Sequence, residues 1–241
     1  YVLFRSYGSN LVPNDFNGNV DVFVRDMQSN TTILISASMS GATANMWSSV
    51  DWPAMTPDGK YVVFYGDSDD IVAWDTNNVE DVFVRNILSW TTALASSDSF
   101  GNIANNTTYP NSLTTISDDG RYVLLQSDAS NLIASDSNWQ RDAFIKDMIS
   151  GEMLAVSVSS DGTLSNQYSQ PAAITPDGRY VVFGSYGNNL IQDDFNGAYD
   201  VFVNEWSIVL PRVPIVDNIW SYMNTGSFIV NGEWIIDAMV Y

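Results

Sequence analysis

The chain has 241 residues, 45% of them apolar and 13% aromatic, a composition suited to a globular body with a real core rather than a disordered tract. It contains no Cys and no His, which removes disulfides, thiol nucleophiles and imidazole acid–base chemistry from its repertoire. Its 9 Lys plus Arg stand against 28 Asp plus Glu, a formal charge of −19 that disfavours nucleic acid and anionic lipid as partners.

The chain opens on a short apolar segment, Tyr1-Val2-Leu3-Phe4, whose β-branched and aromatic residues read as a strand. A polar loop follows and closes on Asn10-Leu11-Val12. The segment Asp15-Phe-Asn-Gly-Asn-Val-Asp-Val-Phe-Val24 then runs from a turn into a second strand, and Thr31 to Ser36 form another. A polar turn with Gly41 and Asn45 leads to a strand before Pro57-Asp58-Gly59-Lys60. Pro presets one turn dihedral there and Gly supplies φ > 0 at another.

The same order of elements then returns. Second copies of the opening strand begin at Tyr61, Tyr122 and Tyr180, and the Asp-x-Asn loop recurs at Asp75, Asp136 and Asp194, after 60, 61 and 58 residues. The outer strand recurs at Thr91 to Ala95 and Glu152 to Val158, and the tight turn at Asp119-Gly120-Arg121 and Pro176-Asp177-Gly178-Arg179. Self-similarity at a fixed period decides the architecture before any local reading does. Four short strands per period make one antiparallel sheet per repeat, and no stretch reads as an amphipathic helix. No run reaches the roughly 18 apolar residues of a membrane span. Phe228-Ile-Val-Asn-Gly232-Glu-Trp234 aligns with Ile174 to Tyr180 as a degenerate fifth turn and strand, whereas Trp206 to Ser227 reads as an irregular crossing.

Radially repeated sheets make a β-propeller. On its Pro-Asp-Gly-Arg-Tyr-Val-Val-Phe and Asp-x-Asn-Gly-x-x-Asp-Val-Phe-Val motifs, residues 1 to about 204 resemble the TolB-like, WD-like propeller family. That resemblance implies an all-β fold of four-stranded blades, with the strand before Pro-Asp-Gly innermost and the strand after it second. The expected organisation is a single domain over 1–241, with repeats 1–60, 61–121, 122–179, 180–233 and a partial one at 234–241. Incomplete blades at both ends suit an arc cut from a larger propeller.

Two kinds of residue stand out for chemistry. Asp15, Asn17 and Asp21, repeated as Asp194, Asn196 and Asp200, offer hard oxygens in a flexible turn, a pattern that suits calcium. The competing reading is that Asp and Asn simply bond their own backbone in Asx turns. Trp47, Trp52 and Tyr109 lie out of register with the repeat, on the approach to the inner strands, where aromatics stack on a sugar or anchor a protein. TolB-like lyases of pectate fragments depend on His, which is missing here, and no carboxylate pair for glycoside hydrolysis stands out. The expectation is therefore a non-catalytic propeller module that binds a protein partner or a glycan, without nucleic acid or a membrane span, within a periplasmic, secreted or cell-surface assembly. The alternative is the propeller part of a hydrolase or lyase whose catalytic groups lie outside the chain or in an unidentified carboxylate pair.

Overall fold

A computed structural model describes residues 1–13, 15–49, 55–110 and 116–205, with the backbone of 228–230 and 233–235. All regular structure among these residues is β. Blade 1 holds β1 (Val2–Ser6), β2 (Asp21–Asp26) and β3 (Thr31–Leu34). Blade 2 runs β4 (Ser48–Ser49), β5 (Tyr61–Gly66), β6 (Asp81–Asn86) and β7 (Thr91–Leu94). Blade 3 repeats the order with β8 (Thr108–Pro110), β9 (Tyr122–Ser127), β10 (Asp142–Asp147) and β11 (Met153–Ala155). Blade 4 holds β12 (Ser169–Ile174), β13 (Tyr180–Ser185) and β14 (Asp200–Glu205). Each sheet is antiparallel with sequential neighbours paired, as expected of propeller blades. In the degenerate fifth repeat β15 (Phe228–Val230) and β16 (Glu233–Ile235) pair antiparallel, and the expected turn at 231–232 lies outside the described residues. The expected crossing at 206–227 lies outside the described residues.

The second and third strands carry continuous apolar runs because both of their faces are covered. Val62 and Phe64 point to blade 1 and join Val22, Val24 and Ile35 in one cluster. Val63, Val82 and Val84 point the other way and meet Val123, Leu125 and Phe144 of blade 3. Leu124, Ala143 and Ile145 then meet Ile174 and Val181 of blade 4. The strand period of two thus sorts alternate residues to the preceding and following blades. Within three sheets a paired Phe from the second strand stacks on one from the third, Phe64 on Phe83 at 5.3 Å being typical.

The outer strands are shorter than their sequence suggests. In blade 1 the Ile35 N–H bonds to Val22 O, and the Ser36 hydroxyl turns inward, so the ladder ends at Leu34. The Pro-Asp-Gly turns are locked by the residue before the Pro position as well. The Thr56 hydroxyl donates to Asp58, whose carboxylate also accepts the Lys60 N–H, and the Tyr61 N–H returns to the Thr56 hydroxyl. Ser117-Asp119 and Thr175-Asp177 repeat the arrangement.

Each turn glycine also receives an aromatic ring from the neighbouring blade. Tyr1 lies on Gly59, Tyr61 on Gly120 and Tyr122 on Gly178, and a Cβ at any of these glycines would collide with the ring. Gly120 has φ +77°, so Gly120→Ala combines left-handed strain with that collision and should cost about 2–4 kcal/mol. Gly101, at φ +87° with open space around its Cα, carries the strain alone. Gly101→Ala should therefore cost about 1 kcal/mol. Urea unfolding midpoints of the two variants check the difference, and equal losses would refute the ring contact.

Candidate binding face

The Asp-x-Asn loops join the second strand of each blade to the third, and three of them share one hydrogen-bond pattern. Asp21, Asp81 and Asp142 are fully buried. Each accepts a Ser hydroxyl from beyond the outer strand: Ser36 at 2.8 Å, Ser96 at 2.5 Å and Ser157 at 2.9 Å. That hydroxyl in turn accepts the N–H of the residue after the Asp. The loop Asn donates its amide to the same carboxylate at 2.7–2.9 Å and to a backbone carbonyl 27 residues on, in the segment leading to the next blade. Its oxygen accepts the N–H two residues later, an Asx turn.

As the side chains stand, the loop's oxygens and amide are engaged with one another and with the next blade. Asn17 presents its N–H₂ rather than its oxygen to Asp21, and both oxygens of Asp21 already accept a side-chain donor. Asn196 and Asp200 repeat the pairing at 3.1 Å in a more exposed loop, with one oxygen of Asp194 buried without a partner. Among the described residues no three acidic side chains converge as a metal set. The buried carboxylates are instead shifted toward their neutral form. Desolvation raises Asp81 and Asp142 to about 7, with Asp75 adding charge repulsion to the first and Asp136 to the second, against hydrogen bonds that favour ionisation.

At this same end of the sheets, side chains that do not follow the repeat form a row across blades 1 to 4. Trp47 meets Tyr65 edge-on at 5.6 Å, and Tyr65 meets Tyr109 at 6.4 Å. The Arg141 guanidinium lies 4.9 Å over the Tyr109 ring and makes a bidentate pair with Asp128 at 2.9 and 2.6 Å. The Tyr168 hydroxyl donates to Gln170 at 3.1 Å. Tyr199 packs on Tyr186 at 4.9 Å, with its hydroxyl over Gly184, where any side chain would block it. Arg5 extends the row into blade 1 by donating to Ser49 at 2.6 Å. Burial holds the phenols neutral, raising Tyr199 to about 12 and shifting Tyr109 upward with help from Glu80. Such a row can stack on flat faces and exchange hydrogen bonds.

The structure thus brings Trp47 and Tyr109 together through Tyr65, while Trp52 lies outside the described residues. Sequence reasoning passed over Tyr65, Arg141, Tyr168 and Tyr199. Their signal is variation against an otherwise repeating frame. The fifth residue from the opening Tyr is Arg5, Tyr65, Gln126 or Gly184, and the residue before the buried Asp is Val20, Glu80, Arg141 or Tyr199. The flanking Val and Phe positions barely change, so these slots are free of the fold's demands.

Sheets and face together define a set of β-propeller blades with a differentiated end. Compared with known proteins, the chain matches no family model and no curated protein. Among solved structures it is similar to the β-propeller domain of the Trilobed protease from Pyrococcus furiosus, at 11% identity over 83% of this chain and 49% of that one, with a TM-score of 0.47. TolB from Acinetobacter baumannii matches at 13% identity over 78% of this chain and 36% of that one, TM-score 0.43. The tricorn protease matches at 12% identity over 78% of this chain and 16% of that one, TM-score 0.45. The chain therefore spans at most about half the length of these structures.

The buried carboxylates set a pH dependence. Their folded-state values lie above the model-peptide value, so the neutral form is favoured on folding. That stability is fully present below the unfolded value near 3.8 and is lost as pH rises through about 7. Carboxyl carbon shifts of Asp81 and Asp142 should titrate near neutrality, and the urea midpoint should fall from about pH 5 to about pH 8 and then level off. Titration of both carboxyls near pH 4 would refute this.

Proposed function

We propose that the chain is a non-catalytic propeller module that recognises a protein partner or a glycan through the row from Trp47 to Tyr199. The observation that carries this reading is the break in symmetry. The blades are near-copies wherever the fold makes demands, and they diverge where Tyr65, Tyr109, Arg141 and Tyr168 stand side by side. Aromatic rings with a fixed guanidinium and amide groups between them are the usual content of a binding hot spot. Among its described residues the row shows no Ser, Cys or Lys beside a base, and Asp128 is committed to Arg141. Placement outside the cytoplasm rests on the TolB-like repeat pattern alone. Among the described residues no helix is long and apolar enough to cross a membrane.

A glycan array and a cross-linking capture, each run with the native protein and with Tyr168→Ala, test the reading. The native chain should retain at least one ligand that the variant binds about tenfold more weakly, a loss near 1.4 kcal/mol, at an unchanged unfolding temperature. Turnover of a peptide or glycan panel by the purified chain would overturn it.

A further inference from the structure

A cleft of about 860 Å³ lies away from the aromatic row, between the outer parts of blades 1 and 2. Its walls include Ser38 and Met39 of blade 1 and Ile71, Arg85, Trp90 and Thr92 of blade 2. Although the chain carries 28 acidic residues, none lines this cleft among the described residues.

Arg85 is 7% exposed, yet among the described residues the only hydrogen bond of its guanidinium runs from one terminal nitrogen to the Thr92 hydroxyl at 2.7 Å, and its Nε is buried without a partner there. No carboxylate lies within ion-pair distance of it among the described residues. A guanidinium buried without an anion is costly and rare. The repeat shows how the fold treats this slot when it serves structure alone. In blade 3 the slot holds Lys146, whose Nζ donates to Ser97 O and Oγ, Asp98 O and Gly151 O at 2.8–3.1 Å, closing the interface to blade 2. In blade 4 it holds Asn204, which is neutral and donates to Val156 O at 3.1 Å. In blade 1 it holds Arg25, which donates to the Thr32 hydroxyl at 2.9 Å and to the Asn30 side-chain oxygen. Among the described residues Arg85 makes no bond across to blade 1 and lacks the second acceptor.

A second irregularity adjoins the first. Trp90 has φ +59°, at a turn position filled by Asn30 in blade 1 and Gly151 in blade 3, residue types that tolerate the left-handed region. Its indole is half-exposed and sits 5.3 Å from the Arg85 guanidinium. The chain accepts a strained aromatic where its own repeat offers cheaper residues, and strain of that kind gathers at ligand sites.

We infer that this cleft binds a small organic carboxylate, with Arg85 taking the carboxylate and Trp90 packing on the ligand's flat or apolar frame. The bidentate fork of Arg matches a carboxylate, and the acid-free walls leave its charge for the ligand. Thr92 and Ser38 supply hydroxyls around the same space.

Benzoate and its neutral counterpart benzyl alcohol are the probes. Benzoate should shift the Trp90 indole resonance, identified by its loss in Trp90→Phe, and raise the unfolding temperature, whereas benzyl alcohol at equal concentration does neither. Arg85→Met should abolish the benzoate response and leave the unfolding temperature equal or higher, because it removes an uncompensated buried charge. An equal response to benzyl alcohol would overturn the proposal. So would a benzoate response that survives in Arg85→Met, or a marked fall in that variant's unfolding temperature with no benzoate response in the native chain, which would make Arg85 a structural tether.

Discussion

Three of the four blades are organised around a fully buried carboxylate. Asp21, Asp81 and Asp142 sit at the start of the third strand, where a hydroxyl from beyond the outer strand and an amide from the preceding loop converge on them. The same Asn reaches into the lead of the next blade. One network therefore fixes the loop, ends the outer strand and spaces the neighbouring sheet. A satisfied polar network in a low-dielectric interior imposes geometry that apolar packing does not. Desolvation is the cost, and it shows in carboxyls held near neutrality.

Much of this was legible in the sequence, because the features that repeat are those the backbone requires. The period, the apolar strands from Tyr61, Tyr122 and Tyr180 and the Pro-Asp-Gly turns all appear in the structure where they were expected. The loop acids were recognised as special, but their partners were not. Ser36, Ser96 and Ser157 lie 15 residues from the Asp they serve, and nothing in a Ser-rich segment distinguishes them. Nor does a sequence tell which end of an Asn amide faces a carboxylate.

The face was half legible for a different reason. Trp47 and Tyr109 draw attention as large aromatics, but Arg141 and Tyr168 look ordinary until folding sets them beside Tyr109 and Gln170. Arg85 was invisible altogether. In sequence it is one more basic residue after the third strand's apolar run, as Arg25 is after Val-Phe-Val and Lys146 after Ala-Phe-Ile. What separates them among the described residues is the number of acceptors: four for Lys146, two for Arg25 and one for Arg85. Sequence shows where the repeat changes; structure shows which changes leave a group unsatisfied.

The rings on the turn glycines have a direction. Tyr1 covers a turn of blade 2, Tyr61 one of blade 3 and Tyr122 one of blade 4, always the blade that comes later in the chain. Asn17, Asn77 and Asn138 reach forward in the same sense. A ribosome adding about 5–20 residues per second would complete a new repeat about every 3–12 seconds. Each blade would thus emerge as a docking template for its successor, already holding the tyrosine and amide that the next turn must find. A change to one blade's tyrosine or amide would therefore be felt first at the turn of the blade that follows it.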